Sequence, residues 1–262
     1  MASGDDAAIG SRGPRPVHVT TRMSLVRVSI ADRLKAVKQT KLYDLLAAIP
    51  LIAWYGYCAV QQFSSLTQQI ELAWLMAETD IAAMDAVFVT RLFSNFAIMG
   101  FITVLIVLLV VRRKPTARGR GIYGRFVAVS GAFLGLSIVQ LPPRELSPAI
   151  YLTSALLILG GTTFAIYAVL GLQRSFSVLP EARGLVTRGP YAMIRHPLYL
   201  GEFVALLGIT LQYFSIWALL LLVLQCTFQV ERMRNEERVL SGVFPEYRDY
   251  MARTARLVPH IY

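Results

Sequence analysis

Six apolar runs, at 43–62, 86–111, 126–141, 147–172, 198–212 and 215–230, constrain this chain more than any other feature. A helix needs about 20 consecutive apolar residues to cross a hydrocarbon core, and inside lipid every backbone polar group must be satisfied within the protein. The runs therefore predict an all-α, polytopic helical membrane protein with about six transmembrane helices. Only 16% of the 262 residues are charged, against about 25% in soluble domains. The third, fifth and sixth runs are short. The last two read as one helical hairpin turning near Tyr213-Phe214-Ser215.

The formal charge of +10 invites a nucleic-acid reading. The placement of the charges argues against it. Arg22, Arg27, Arg33, Lys35, Lys38 and Lys41 precede the first run, while residues 63–85 carry Glu71, Glu78, Asp80 and Asp85 and no Lys or Arg. Arg112, Arg113, Lys114, Arg118, Arg120 and Arg125 follow the second run; 142–147 is nearly uncharged in balance; 173–197 carries Arg174, Arg183, Arg188 and Arg195. Arg232, Arg234 and Arg238 follow the last run. This alternation is the positive-inside pattern. It predicts both termini in the cytoplasm, with the lipid bilayer as the partner of the basic flanks and no nucleic-acid partner.

Three regions are expected: a basic tail at 1–42, partly disordered; helices one to four within 43–172; and a C-terminal catalytic region at 173–262. The start lacks the apolar core of a signal peptide. Residues 24–38, with Ile30, Leu34 and Val37 on one side, read as either a basic interfacial helix or an orienting tail. Cys58 and Cys226 lie in different runs, so neither a disulfide framework nor zinc spacing arises, and no metal is expected. Gly119-Arg-Gly-Ile-Tyr-Gly124 fits GxGxxG. A dinucleotide fingerprint also needs a preceding strand and a βαβ unit, so this stretch reads as a cytoplasmic loop.

Chemistry gathers near the last two runs. Leu185-Val186-Thr187-Arg188-Gly189-Pro190-Tyr191 reads as an extended piece closed by a turn. Pro197 biases His196 away from helical geometry and is suited to a helix start. The first N–H groups of that helix, beside Arg195, form a candidate anion site; an interfacial belt of Arg, His and Tyr is the competing reading. Glu202 lies one turn beyond Tyr199, and a carboxylate within a span marks a functional site by default. Gln225, Gln229, Arg232 and Glu236 are spaced four, three and four, which places them on one helical face. Arg232 and Glu236 are also at pairing distance along the helix. Glu237 and Arg238 read as surface ion-pair residues.

Residues 183–199, Arg-Gly-Leu-Val-Thr-Arg-Gly-Pro-Tyr-Ala-Met-Ile-Arg-His-Pro-Leu-Tyr, closely resemble the core motif of the isoprenylcysteine carboxyl methyltransferase and phospholipid methyltransferase-like family. Glu236-Glu237 and Phe244-Pro-Glu-Tyr247-Arg-Asp-Tyr250 resemble its paired-Glu element and Tyr-rich tail. The likeness covers about 165–262. It implies S-adenosyl-L-methionine held at the cytoplasmic face beside the C-terminal hairpin, with Leu185, Val186, Tyr191, His196, Pro197, Leu198, Tyr199 and Glu236 contacting the cofactor. Arg232 would face the reacting group of a small or lipid-like hydrophobic acceptor. Glu202 or Glu236 would serve as base for an amine. The Asn-Pro found at the hairpin turn of eukaryotic prenylcysteine enzymes is absent at Tyr213-Phe214-Ser215. Relatives of this broad family include phospholipid and methanethiol methyltransferases and, more remotely, sterol reductases using a nicotinamide cofactor. A reductase and a non-enzymatic membrane protein are the competing functions. The methylated atom and the oligomeric state are left open.

Overall fold

The computed structural model describes residues 40–79, 81, 84–119 and 121–259. The stretch 24–38 considered above for an interfacial helix lies outside the described residues. The order is α1 (Lys41–Thr79), α2 (Ala86–Val111), β1 (Ala117–Arg118), α3 (Ile122–Phe133, continued by a 3-10 segment Leu134–Gln140), α4 (Pro148–Leu172), β2 (Glu181–Ala182), α5 (Pro197–Gln212), α6 (Ile216–Val243) and α7 (Tyr247–Arg253). The protein is an all-α polytopic membrane protein. Among the described residues, five helices are long and apolar enough to cross a membrane by length and composition. The sixth, α5, has 16 residues, about 24 Å at 1.5 Å per residue, somewhat short of a hydrocarbon core of about 30 Å.

Helix α1 departs from expectation. Its apolar run ends near 62, yet the helix continues to Thr79 and carries Gln69, Glu71 and Glu78 with it. No Gly or Pro occurs between Tyr57 and Asp85, and Gln, Leu, Glu, Ala and Met are strong helix formers. Loss of hydrophobicity marks where a membrane segment ends, not where a helix does. Gln62 Nε2 donates to both the carbonyl and side-chain oxygens of Asn95, tying this extension to α2. Helix α6 likewise runs on to Val243, well past the apolar stretch.

Helix ends follow their residues. Asp85 caps α2 by accepting from Phe88 N, Ser147 caps α4 with Pro148 at its first position, and Ser215 caps α6 by accepting from Ala218 N. The α5–α6 turn falls at Tyr213–Ser215 as read from the sequence. The Gly119–Gly124 stretch is no open loop. Gly119 N donates to Pro180 O beside the two-residue β1–β2 pairing, Gly121 at φ 90° precedes α3, and Gly124 is already helical. Arg120 of this motif lies outside the described residues.

Packing between α4 and α5 depends on missing side chains. A Cβ on Gly161 would stand 2.4 Å from Ala205 N, one on Gly201 2.7 Å from Ala165 N, and one on Gly208 2.6 Å from Ser154 O. Small residues are what allow helix backbones this close in lipid. Ser154 Oγ donates to Gly208 O, and Gln212 Nε2 donates to Ser154 Oγ. The apolar core sits at the neighbouring α2–α4 seam, built on Leu105, Leu108, Leu109, Ala165, Ala168 and Val169. Leu198 joins that core and so fixes the start of α5 against it.

Candidate active site

Pro197 starts α5 at its first position, with His196 at φ −128° and ψ 57° just outside the helix. The proline sets that boundary, since its ring disfavours helical geometry at the preceding residue. Gly189 at φ 62° turns the chain into the 3-10 segment Gly189–Ala192 ahead of it. Opposite stands the C-terminal part of α6. Between these elements lies a cavity of about 1020 Å³ of empty space, counting its open mouth.

Of the ten residues singled out above, nine line this one cavity: Leu185, Val186, Tyr191, His196, Leu198, Tyr199, Glu202, Arg232 and Glu236. Pro197 does not; it is fully buried behind the wall and acts on the site through the helix start. Tyr55 of α1, Leu105 of α2, Ala132 of α3 and Leu172 of α4 line the same space. These four gave no signal in the sequence, being ordinary apolar or aromatic members of apolar runs.

Arg232 and Glu236 do not pair with each other. Tyr199 stands between them: its hydroxyl donates to Glu236 Oε1, and the Arg232 guanidinium lies 4.8 Å from its ring centroid. A cation over a desolvated ring contributes about 2 kcal/mol. Arg232 Nη1 donates to Gly131 O at 3.2 Å and to Gln229 Oε1 at 3.0 Å. Gln229 Nε2 in turn donates to Glu202 Oε2 at 2.9 Å. Gln225 Nε2 also reaches Gly131 O, at 2.6 Å. The α6 stripe thus faces inward and docks on α3 at Gly131, where a Cβ would come within 2.5 Å of Arg232 Cδ.

Glu237 is no surface residue. It is buried and accepts from Arg195 Nε at 2.8 Å, His196 Nε2 at 3.1 Å and Arg256 Nη2 at 2.7 Å. A signal for this existed: Glu237 follows the buried Met233 by four residues and so shares its helical face. Arg195 is consequently not held open for an anion at the start of α5. Its guanidinium is taken up by Glu237, Met251 O and Thr254 O. The tail closes on the motif through Arg195 N to Ala255 O, His196 N to Arg256 O and Tyr250 Oη to Tyr191 O. Burial pushes the Tyr250 hydroxyl up to about 12, with Glu237 adding to the effect and Arg195 opposing it. Burial also raises the Tyr191 hydroxyl well above its ordinary value, with Glu236 adding to it.

Two buried polar atoms on the cavity wall, the Tyr191 hydroxyl and Arg232 Nε, have no hydrogen-bond partner among the described residues. Buried donors without partners are uncommon and call for a ligand or water.

Residues 149–247 match the phospholipid methyltransferase family, and they contain α4 from its second residue, all of α5 and α6, and all ten residues above. The match is confined to this C-terminal region and leaves the first 148 residues outside it. Two curated relatives align over 78 residues. The nickel-cobalt-cadmium resistance protein NccN of Alcaligenes xylosoxydans xylosoxydans is 40% identical, over 29% of this chain and 37% of that protein. The cobalt-zinc-cadmium resistance protein CzcN of Cupriavidus metallidurans is 35% identical, over 29% and 36%. The chain therefore spans only a little over a third of these relatives. Among the described residues, no group of three or more His, Cys, Asp or Glu is placed to hold a metal ion. The solved structure of the eukaryotic intramembrane Ras methyltransferase, isoprenylcysteine carboxyl methyltransferase, is similar at 17% identity over 89% of this chain and 98% of that one, with a TM-score of 0.37. That likeness is too distant to transfer any residue's role.

Proposed function

We propose that this protein is an S-adenosyl-L-methionine-dependent methyltransferase acting on a small or lipid-like hydrophobic acceptor at the cytoplasmic membrane face. In this reading 173–262 carries the catalysis, with 43–172 supplying walls and anchorage. The observation that carries it is the convergence of nine candidate site residues, all within the family-matched region, on a single cavity.

The wall suits such a cofactor. Leu179, Leu185, Val186 and Leu240 offer apolar surface for a base, Glu236 offers a carboxylate, and the Tyr191 hydroxyl is an unused donor. When bound, the cofactor supplies an electrophilic methyl group on a sulfonium. The protein's work is then alignment and exclusion of water, and positioning alone supplies several kcal/mol. Arg232 is held by Gly131 and Gln229 with its Nε unused. It orients an anionic or polar acceptor group rather than removing a proton. Glu202 is tied through Gln229 to that same guanidinium. A carboxylate or thiolate acceptor uses this arrangement without further change; an amine would need Glu202 or Glu236 as base.

Calorimetric titration of the detergent-purified protein with S-adenosylhomocysteine tests the cofactor, and transfer of a labelled methyl group to lipid extracts tests the acceptor. Binding of NADPH in place of S-adenosylhomocysteine would instead indicate a reductase. Binding of neither would leave a non-enzymatic membrane protein.

A further inference from the structure

Five charged side chains from three separate stretches meet behind the cofactor-side loop. Asp44 comes from the first turn of α1, Arg112 and Arg118 from the α2–α3 connection, and Glu181 and Arg183 from the strand entering the motif. Arg183 grips Asp44 with both terminal nitrogens, Nη2 to Oδ1 at 2.6 Å and Nη1 to Oδ2 at 3.0 Å. Its Nη2 and Nε donate to Glu181 Oε2 at 2.5 and 3.2 Å, and Nη1 also donates to Arg113 O. A guanidinium has five N–H donors, and here all five are used within the protein. The Arg183 side chain is fully buried, at 0% exposure. It has no donor left for a ligand, although it opens the sequence motif.

What Arg183 does control is the backbone beside it. Glu181, Gly184, Leu185 and Val186 line the cavity, as does Ser177, whose hydroxyl donates to Glu181 Oε2. Arg118 Nε completes Glu181 at 3.2 Å, and Ala117 pairs with Ala182 across the two-strand ladder. A Cβ on Gly184 would meet Ser175 Oγ at 2.7 Å, so the loop lies flat on its support. Asp44 touches none of the cavity itself. Arg112 Nε holds its second face at 3.0 Å, and Lys41 Nζ grips the carbonyl oxygens of Val110 and Arg112. The start of α1, outside the family-matched region, is thereby bolted to the loop 139 residues further along the chain.

We infer that Asp44 is a positioning residue for the cofactor loop, acting through Arg183 to fix Leu185 and Val186 in the cavity wall. The inference rests on the methyltransferase reading for its ligand but not for its geometry. A buried bidentate pair fixes direction as well as distance, and removing one partner leaves buried charge uncompensated.

The test compares wild type, Asp44→Asn, Arg183→Gln and the paired variant on the full chain in detergent. The paired variant removes one charge of each sign and guards against simple misfolding of the single ones. Hydrogen–deuterium exchange of the peptide 177–190 in ligand-free protein is read first. It should accelerate in all three variants while α4 and α5 keep their protection. Titration with S-adenosylhomocysteine is read second. Its affinity should fall about tenfold or more, by analogy with the loss when residues that orient metal ligands from behind are removed, and the paired variant should be no worse than the single ones. A lower unfolding temperature with unchanged exchange at 177–190, or unchanged affinity where wild type binds, overturns the inference. If wild type itself fails to bind, the cofactor reading fails, and the exchange data still decide whether Asp44 holds the loop.

Discussion

The guanidinium of Arg232 lies over the ring of Tyr199, 4.8 Å from its centroid, and the hydroxyl of that ring donates to Glu236. One side chain thus separates a cation from an anion that the helix spacing would have let pair. Tyr199→Phe removes the hydrogen bond and keeps the ring under Arg232. A hydrogen bond to a charged group contributes about 1.5–3 kcal/mol. Tyr199→Phe should therefore weaken S-adenosylhomocysteine binding by roughly 10- to 100-fold while leaving far-UV circular dichroism unchanged. Undiminished affinity would remove this hydroxyl from the cofactor site.

Arg232 and Glu236 should separate functionally. Glu236 is an acceptor only, so Glu236→Gln should chiefly lower cofactor affinity in calorimetry. Arg232→Ala should leave that affinity nearly intact and reduce turnover in the labelled-methyl assay. An exposed ion pair would contribute only about 0.2–1 kcal/mol. Silence of both variants in both assays would therefore mean that neither residue serves the site.

Glu237 should matter most for stability. It joins Arg195, His196 and Arg256 in one buried cluster. Breaking such a pair costs about 3–5 kcal/mol. Glu237→Gln should lower the thermal unfolding midpoint more than Glu236→Gln does, and should expose the tail after Tyr247 to limited proteolysis. Equal midpoints for the two variants would contradict the hub role.

Gly161 should tolerate no side chain. Its Cβ would stand 2.4 Å from Ala205 N, on backbone that cannot step aside. Overpacking of this kind costs about 1–3 kcal/mol. Gly161→Val should lower the unfolding midpoint, whereas the same change at Gly160, with open space around it, should be nearly neutral. Matching losses at both positions would argue against the close α4–α5 approach.

Orientation is open to direct labelling. In protein lacking Cys58 and Cys226, a cysteine replacing the exposed Glu78 should react with an impermeant reagent from outside, and one replacing Thr116 should not. The reverse pattern would place the cavity away from a cytosolic cofactor.

Sequence alone determined the membrane class, the α5–α6 hairpin and the residues of the C-terminal motif. Each of these is written locally, as apolar length, as a proline or serine at a helix start, or as residues adjacent in the chain. Two boundaries escaped it, the ends of α1 and α6, because hydropathy reports the solvent around a helix and not its hydrogen bonding. Only the tertiary structure decided which charges meet. Glu236 and Glu237 are neighbours in sequence, yet one accepts from Tyr199 and the other from Arg195, His196 and Arg256. Asp44 finds Arg183 across 139 residues. Such partners are chosen by how α1, the α2–α3 connection and the motif loop converge in space. The cost of burying an unpaired charge then makes each choice obligatory once the helices have packed.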